Sequence, residues 1–425
     1  MKQLALPLVV LSLIGLSACA TEPTPTGPPS ILVWVDATRE PAAQAYVESV
    51  GDSAEVEVEV YDVGELRTKI ALFNQTDSGW PDVVFTGNPS DVAELAFPDN
   101  GFAAPLKSLV SAEVLDGYGV ANKWCEIDGE VYCLQNDLAQ TVLWYDKVLL
   151  NELGLSIPTT MEEFAEQALT LEGTGYVVGA IGDGDGLFGG YLQPSGCPLS
   201  TVGSASEVRI DAEADECTQA AELLQPLVDA GVLDTRSNFD AGFIAEVAQA
   251  GKVVMSISPS WWGDFVMKPT ENWAIPEGRV AVAAMPTWEG NDNNYSGAWG
   301  GGIYLVSSHA AFPQAAADAA VWLATASEYQ ATAPTFPAYG PANEAWAERI
   351  SADTYYAEDI YPVLAEAAGK ISPSFGAVRY DFSSGGLSSV LAVQISEGTS
   401  IKDALAATGT TLAELAKGSG YTVSK

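Results

Sequence analysis

The strongest constraint on the fold is an alternation of two hydrophobic periods between residues 31 and 96. ILVWVDA (31–37) is an apolar strand breaking into a polar turn, and Arg39 to Val50 carries apolar residues at helical spacing. EVEVEVY (55–61) alternates strictly, as a half-exposed strand does, and a second helix covers about 64–74. PDVVFTG (81–87) is a buried strand, followed by a helix over roughly 90–96. Strand, helix, strand, helix, strand is the pattern of a parallel sheet with crossover helices, so the chain is α/β. Such sheets bind ligands beyond the carboxyl ends of their strands. Those ends are Trp34-Val35-Asp36 and Thr86-Gly87-Asn88, which offer polar groups and one aromatic face.

A second constraint is the stretch NDLAQTVLWYDKVLLNELG, from Asn136 to Gly154. A polar opening with Asp137 and Gln140 leads into a buried strand, a charged Asp146-Lys147 turn and a short helix. It reads as a chain leaving one compact body and entering another. AWGGGIYLVSS (298–308) has the marks of a second crossing, its three glycines permitting a close backbone approach. FPAYGPANEA (336–345) is a third Pro/Gly-marked break.

Between the breaks, PTTMEEFAEQALTL (158–171) predicts a helix with Thr159 as N-cap and Glu162 completing a capping box. YVVGAIG (176–182) predicts a buried strand running into the turn GDGDGLFGGY. Helices follow over about 212–230 and 239–250, then the strand KVVMSIS (252–258) leading into PSWWGDF, and the strand RVAVAAMP (279–286). A helix over 313–326 and a helical tail broken by SPSFGAVRYDF (372–382) complete the pattern. Beyond the leader the chain is longer than one hydrophobic core usually serves, so two domains are expected.

Residues 1–30 stand outside that fold. Lys2 and the apolar run Leu4–Leu16 have signal-peptide proportions, and the run is too short for a permanent span of about 20 residues. Leu16-Ser17-Ala18-Cys19 resembles the lipobox of bacterial lipoproteins. That implies a signal peptide over 1–18 and a lipid-bearing N-terminus at Cys19. ATEPTPTGPPS then makes a solvated Pro/Thr tether over 19–30. The expected location is extracytoplasmic, with contact to the cell membrane through the lipid alone.

A net charge of −38 excludes a nucleic-acid partner, because phosphate contacts need clustered Lys and Arg. It suits a soluble, self-repelling chain, expected to be a monomer. Cysteine usage fits export. Cys125, Cys133, Cys197 and Cys217 remain once Cys19 is set aside, an even number that reads as disulfides. CEIDGEVYC brackets a hairpin tipped by Asp128-Gly129. A strict two-residue turn would leave its cysteines one position out of register, so a three-residue loop or a bulge is expected. Cys197 pairs with Cys217 by elimination. No spacing fits a zinc finger and His309 is the only histidine, so neither metal nor cofactor is expected.

DLAQTVLWYDKVLLNELGLSIPTTMEEF resembles the most distinctive run of the family 1 extracellular solute-binding proteins, the carbohydrate-binding lipoproteins of ABC importers. In that family an acid precedes a strand ending in Tyr-Asn-Lys, and a Pro-Thr-Thr-Trp-Glu-Glu helix start follows. Here Asp146 replaces the Asn and Met161 the Trp, both at scaffold positions. AGKVVMSISPSWWGDF resembles the segment that offers a Trp to the sugar, and AAVWLATASEYQ resembles the helix after the second crossing. The resemblance implies the two-lobed periplasmic-binding-protein-like fold (type II), its α/β lobes joined by three crossing segments. Lobe one would take 31–137 and 299–340, and lobe two 141–297 and 342–425. A sugar or oligosaccharide would sit between them and pass to an ABC transporter permease.

Sugar rings have apolar C–H faces and hydroxyl rims, so a pocket for them combines aromatic rings with hydrogen-bonding side chains. Trp261, Trp262 and Trp299 are the expected platforms, with Gly300 beside the last. Trp34, Asp36 and Asn88 lie at strand ends, and Asp137 and Gln140 at the first crossing. Phe188 and Tyr191 follow a lobe-two strand. Tyr339, Phe375, Arg379 and Tyr380 lie at the later breaks.

Three other functions compete. A glycoside hydrolase needs two carboxylates flanking a bond, and 56 acids make any such pair uninformative. No Gly-x-Ser-x-Gly elbow is present, and GDGDG fails as a calcium loop because Leu187 takes the third ligand position. An enzyme is therefore not expected. A same-fold binder of polyamine, glycerol phosphate or iron would use acids with aromatics, cations, or tyrosines with an anion. A purely structural lipoprotein would not need a Trp-rich cleft.

Overall fold

The computed structural model describes residues 27–97, 101–204, 206–289, 294–372 and 377–425. Cys19, most of the Pro/Thr tether and Phe375 fall outside them.

Three parallel strands open the chain. Ser30–Val35 pairs with Glu55–Val60 in register from Ser30 opposite Glu55 to Val35 opposite Val60, and Val33 and Trp34 lie beside Val83 and Val84. Ile303–Val306 then adds antiparallel to Val83–Thr86, and Leu134–Gln135 adds outside it, giving a five-stranded sheet. The sequence shows which strand is the edge. In EVEVEV the valines at 56 and 58 are half-buried and the glutamates exposed, so charge blunts pairing with another chain. All four residues of Val83–Thr86 are buried, as a central strand requires. Helices Glu40–Val50 and Leu66–Thr76 are the crossovers, and Pro313–Thr325 packs over Ile303–Val306.

The second body is built on Thr141–Asp146, all six residues buried, between Met255–Pro259 and Val280–Ala283, both antiparallel to it. Asp146 ends that strand and caps the helix Lys147–Glu152. Its carboxylate accepts the N–H groups of Val148 and Leu149 at 3.0 Å each and pairs with Arg279 at 2.8 Å. A small third sheet joins Thr201–Ser204, Glu207–Arg209 and the C-terminal Thr422–Ser424, the last parallel to its neighbour. Phe164, Leu192, Leu224, Leu387 and Leu412 meet in the core beneath, although they come from distant parts of the chain. Cys197 and Cys217 are joined across it, with Cα atoms 4.5 Å apart.

Between the bodies, three segments run side by side. Asp137–Leu138 pairs antiparallel with Phe336–Pro337, and Gln140 bridges Ala298. The Asn136 N–H donates to Gly302 O at 2.7 Å, Trp299 N–H to Ala139 O at 3.0 Å and Ala338 N–H to Asn136 O at 3.1 Å. Residues 136–140 are thus the middle strand of a narrow ribbon. Gly300 and Gly301 have φ of +91° and +105°, which a side chain would strain, and a Cβ on Gly302 would collide with the Phe85 ring.

Three local expectations are corrected. Ile127 pairs with Glu130 and Glu126 with Val131, so the hairpin loop is the two residues Asp128-Gly129, with φ of +51° and +78°. That is the type I′ turn Asp-Gly favours, rather than a three-residue loop or bulge. Cys125 therefore faces Tyr132, whose N–H donates to its carbonyl at 2.9 Å. The bridge to Cys133 forms all the same, at a Cα separation of 5.0 Å, because both cysteines lie beyond the last ladder pair.

The capping box is shifted by one residue. Thr160 accepts the Glu163 N–H at 3.1 Å, and the Glu163 carboxylate reaches back to the Thr159 N–H at 2.7 Å. Tyr176 to Gly182 forms no ladder strand, only isolated bridges from Val177 to Val253 and from Ala180 to Asp234. Gly179 between them has φ +97°, which breaks the extended run.

Candidate functional site

Strand geometry divides the interlobe region into two. Successive side chains of a strand point to opposite faces. Asp137 faces the ends of the opening strands, where Arg39 Nη2 reaches its Oδ1 at 3.2 Å and Nη1 reaches Asp36 Oδ2 at 3.1 Å. Ala139 points the same way, toward Gly300. Leu138 lines a cavity on the other side, and Gln140 donates to Leu364 O at 2.8 Å on the helix bordering that side. The ribbon thus has a front face at the carboxyl ends of the parallel strands and a back face away from them.

The front cavity encloses about 130 Å³. Gly87, Asn88, Pro89 and Ser90 form one wall; Asp185, Phe188, Phe382 and Ser383 form the opposite one. Ala298, Trp299 and Gly300 of the second crossing close its floor. Trp299 belongs to an aromatic cluster. Its ring lies 5.5 Å from Trp261 and 5.1 Å from Trp262, with Phe239 at 6.3 Å. The Trp261 indole N–H donates to Trp299 O at 2.9 Å, locking the two together. Trp262 is fully buried behind them against Trp273, so it supports the platform and presents no face of its own.

Polar groups around the front cavity are oriented by neighbours. Asn88 Oδ1 accepts the Ser90 hydroxyl at 2.7 Å, and its amide donates to Asp91 at 3.2 Å. Asp91 also takes the Thr86 hydroxyl and the Arg67 Nε–H, each at 2.8 Å. Burial raises the Asp91 pKa even though Arg67 pulls the other way. Burial likewise raises Asp185, helped by the charges of Asp183 and Asp381, while the Ser383 hydroxyl at 2.6 Å opposes the shift. No group of three or more His, Cys, Asp or Glu side chains among the described residues has the arrangement of a metal site.

The structure brings Asn88, Phe188, Trp299 and Gly300 together around the front cavity, with Trp261 against Trp299. Other sequence candidates lie elsewhere. Trp34 packs in the lobe-one core 5.0 Å from Tyr61 and 5.9 Å from Phe73, its indole N–H bonded to Glu59 at 2.8 Å. Tyr191 is buried against Phe164, and Tyr380 is buried with its hydroxyl 2.6 Å from that of Ser200. Tyr339 packs on Tyr118 at 5.1 Å. Asp36 and Asp137 are engaged in the ion pairs described above, and Gln140 gives its amide N–H to Leu364 O while its Oε1 is buried without a partner among the described residues.

Arg379 lies on the back face. Sequence reading missed Arg39, Asp185, Phe382 and Ser383. Asp185 had a signal, the Gly/Asp-rich turn after a buried stretch; Ser383 had none.

The back cavity is larger, about 890 Å³, and shares no lining residue with the front one. Phe97, Val120, Trp124, Ile127 and Tyr132 line it from one body; Val202, Tyr295, Ile371, Arg379 and Tyr421 line it from the other. The front cavity lies where strand ends, crossing backbone and the tryptophan platform converge.

The profile of the family described as bacterial extracellular solute-binding protein matches residues 34–330. The chain belongs to that family. Its fold is shared with solved solute-binding proteins over nearly its whole length. The galacto-N-biose/lacto-N-biose I-binding protein of an ABC transporter from Bifidobacterium longum superimposes with a TM-score of 0.78 at 19% identity, covering 94% of this chain and 100% of that one. An ABC transporter associated binding protein from B. animalis subsp. lactis, solved with β-1,6-galactobiose, gives 0.74 at 19% identity, with coverage of 94% and 100%. The sugar-binding protein MalE from Xanthomonas citri gives 0.71 at 14% identity, with coverage of 92% and 98%. No curated protein sequence matches the chain. This solute-binding protein therefore has the two-lobed α/β architecture. Among its described residues no helix is long and apolar enough to cross a membrane.

Proposed function

We propose that this chain captures a neutral sugar or short oligosaccharide in its front cavity and delivers it to the permease of an ABC transporter. The observation that carries the reading is Trp299, backed by Trp261, which shares the lining of that cavity with Asn88, Asp185 and Ser383. A ring face stacks on an indole while its hydroxyls meet amide, carboxylate and hydroxyl groups. Solved neighbours with the same fold carry lacto-N-biose or β-1,6-galactobiose, which supports a disaccharide-sized solute. At 130 Å³ the cavity lies below the roughly 300–1,000 Å³ of ligand pockets, so the lobes separate about the crossings to admit solute.

In this reading the lobes divide near 31–137 with 299–340 and 141–297 with 342–425. The protein works as a monomer held outside the membrane by lipid on Cys19, and it performs no catalysis. Titration calorimetry with a panel of galactosyl and glucosyl disaccharides tests the proposal. One-site binding without product formation supports it, and turnover of a glycoside sinks it. A cationic solute is the second reading, because Asp185 lines the cavity without forming an ion pair among the described residues. Binding of spermidine in place of every sugar would select it.

A further inference from the structure

The back cavity has a chemical character of its own. It is enclosed from both bodies, and its 890 Å³ falls within the range of about 300–1,000 Å³ typical of small-molecule pockets. Its walls are mostly apolar and aromatic, and Val120 remains 65% exposed within them. Arg379 is set into this surface with its guanidinium 4.3 Å from the Phe97 ring centre of one body and 4.4 Å from the Tyr421 ring centre of the other. Two aromatic faces hold the cation in place, and its backbone N–H is tied to the Tyr421 hydroxyl at 3.3 Å.

What Arg379 lacks is an anion. Acids outnumber bases by 56 to 18 in this chain. Arg39, Arg67, Arg209, Arg236, Arg279 and Arg349 each hold a carboxylate. Arg379 pairs with none among the described residues, and its Nε is buried without any hydrogen-bond partner. A permanent cation with a planar donor fork, fixed between rings in a cavity wall, is built to receive a carboxylate. Lys123 adds a second positive charge at the exposed rim, while Glu126 and Asp128 belong to the exposed hairpin tip.

We infer that the back cavity is a second ligand site, separate from the sugar site, for a small ring-bearing carboxylate. The ring lies against the aromatic walls and the carboxylate accepts from the Arg379 guanidinium. The same chemistry is offered by an aryl carboxylate and by a uronate, and the test separates them.

Calorimetry of the full chain uses benzoate and glucuronate as probes, with benzamide and glucose as their neutral counterparts. At least one acid should bind one-to-one and about tenfold or more tighter than its neutral counterpart. Arg379→Gln should remove that binding, Arg379→Lys should keep part of it, and Trp299→Ala should leave it unchanged. The inference is overturned if neither acid binds or if Arg379→Lys and Arg379→Gln both bind like the parent. Acid binding that requires Trp299 and ignores Arg379 also overturns it, by placing the acid in the front cavity.

Discussion

Arg39 Nη2 lies 3.2 Å from Asp137 Oδ1, an ion pair that ties the end of the first strand to the first crossing. The same carboxylate oxygen accepts the Asn136 amide at 2.7 Å and the Gly302 N–H at 3.1 Å. One buried atom thus joins two crossings and a strand end. Asp137→Ala leaves the Arg39 guanidinium with Asp36 alone and strips the Asn136 amide and the Gly302 N–H of their acceptor, which should cost about 2–4 kcal/mol in urea unfolding. Asp137→Asn, which still accepts from Gly302, should cost less. An alanine variant within about 0.5 kcal/mol of the parent would rule the pair out as a stabiliser of the crossings.

Trp34 and Trp299 should respond to truncation in opposite ways. Trp34→Ala opens a cavity among Tyr61, Phe73 and the sheet, at about 3–5 kcal/mol of stability, with sugar affinity retained. Trp299→Ala should weaken sugar binding about tenfold or more at a smaller cost in stability, because its ring is only half-buried. Calorimetry and thermal melts on the two variants distinguish platform from core, and equal affinity losses would merge the two roles.

The two disulfides close loops of different length, with separations of 8 and 20 residues. In the chain-entropy picture, loss of Cys125–Cys133 costs about 2.5 kcal/mol and loss of Cys197–Cys217 about 3.3 kcal/mol. Denaturant unfolding of the paired Cys→Ser variants should preserve that order. Equal or reversed losses would mean that local packing outweighs loop closure.

Asp185 has a raised pKa in the folded protein, from burial first and then the neighbouring carboxylates. Between the unfolded value near 3.9 and the higher folded value, the folded state binds the extra proton. Its contribution to stability therefore falls as pH rises through that window and is recovered on acidification. Asp91, Glu94 and Asp82 act in the same sense. Asp185→Asn should raise the unfolding midpoint near neutral pH and flatten its decline between about pH 4 and neutrality. A variant with an unchanged pH profile would rule Asp185 out as a source of that decline.

The opening sheet was readable because its periods are clean, and EVEVEV even announces an edge strand. The tryptophans at 261, 262 and 299 stood out because each adjoins a strand or a glycine turn, but that pattern could not show that Trp262 is buried behind the other two. Trp34 misled for a physical reason. The rule about strand ends concerns backbone position, whereas strand alternation turned this ring onto the helix that carries Phe73. Arg39 escaped notice because its partners, Asp36 and Asp137, are brought together only by the fold. The back cavity was equally invisible, since Phe97, Trp124, Tyr295 and Tyr421 come from four separate segments. Thr159 and Thr160 show the finer limit, where adjacent identical residues both satisfy the capping pattern and only backbone geometry chooses.

The ribbon of three crossings also sets an order of events during folding. Neither body is a contiguous piece of chain: the first sheet waits for Ile303–Val306, and the sheet edge at Glu207–Arg209 waits for Thr422–Ser424. Loop-closure entropy must be overcome across hundreds of residues before those strands contribute, which makes such topologies slow to fold. A chain emerging from its N-terminus cannot complete the first sheet before Val306 is made, nor the second body before its C-terminal strand Thr422–Ser424. The connectivity that ties the two bodies together thus also lengthens the interval in which the chain is unfolded.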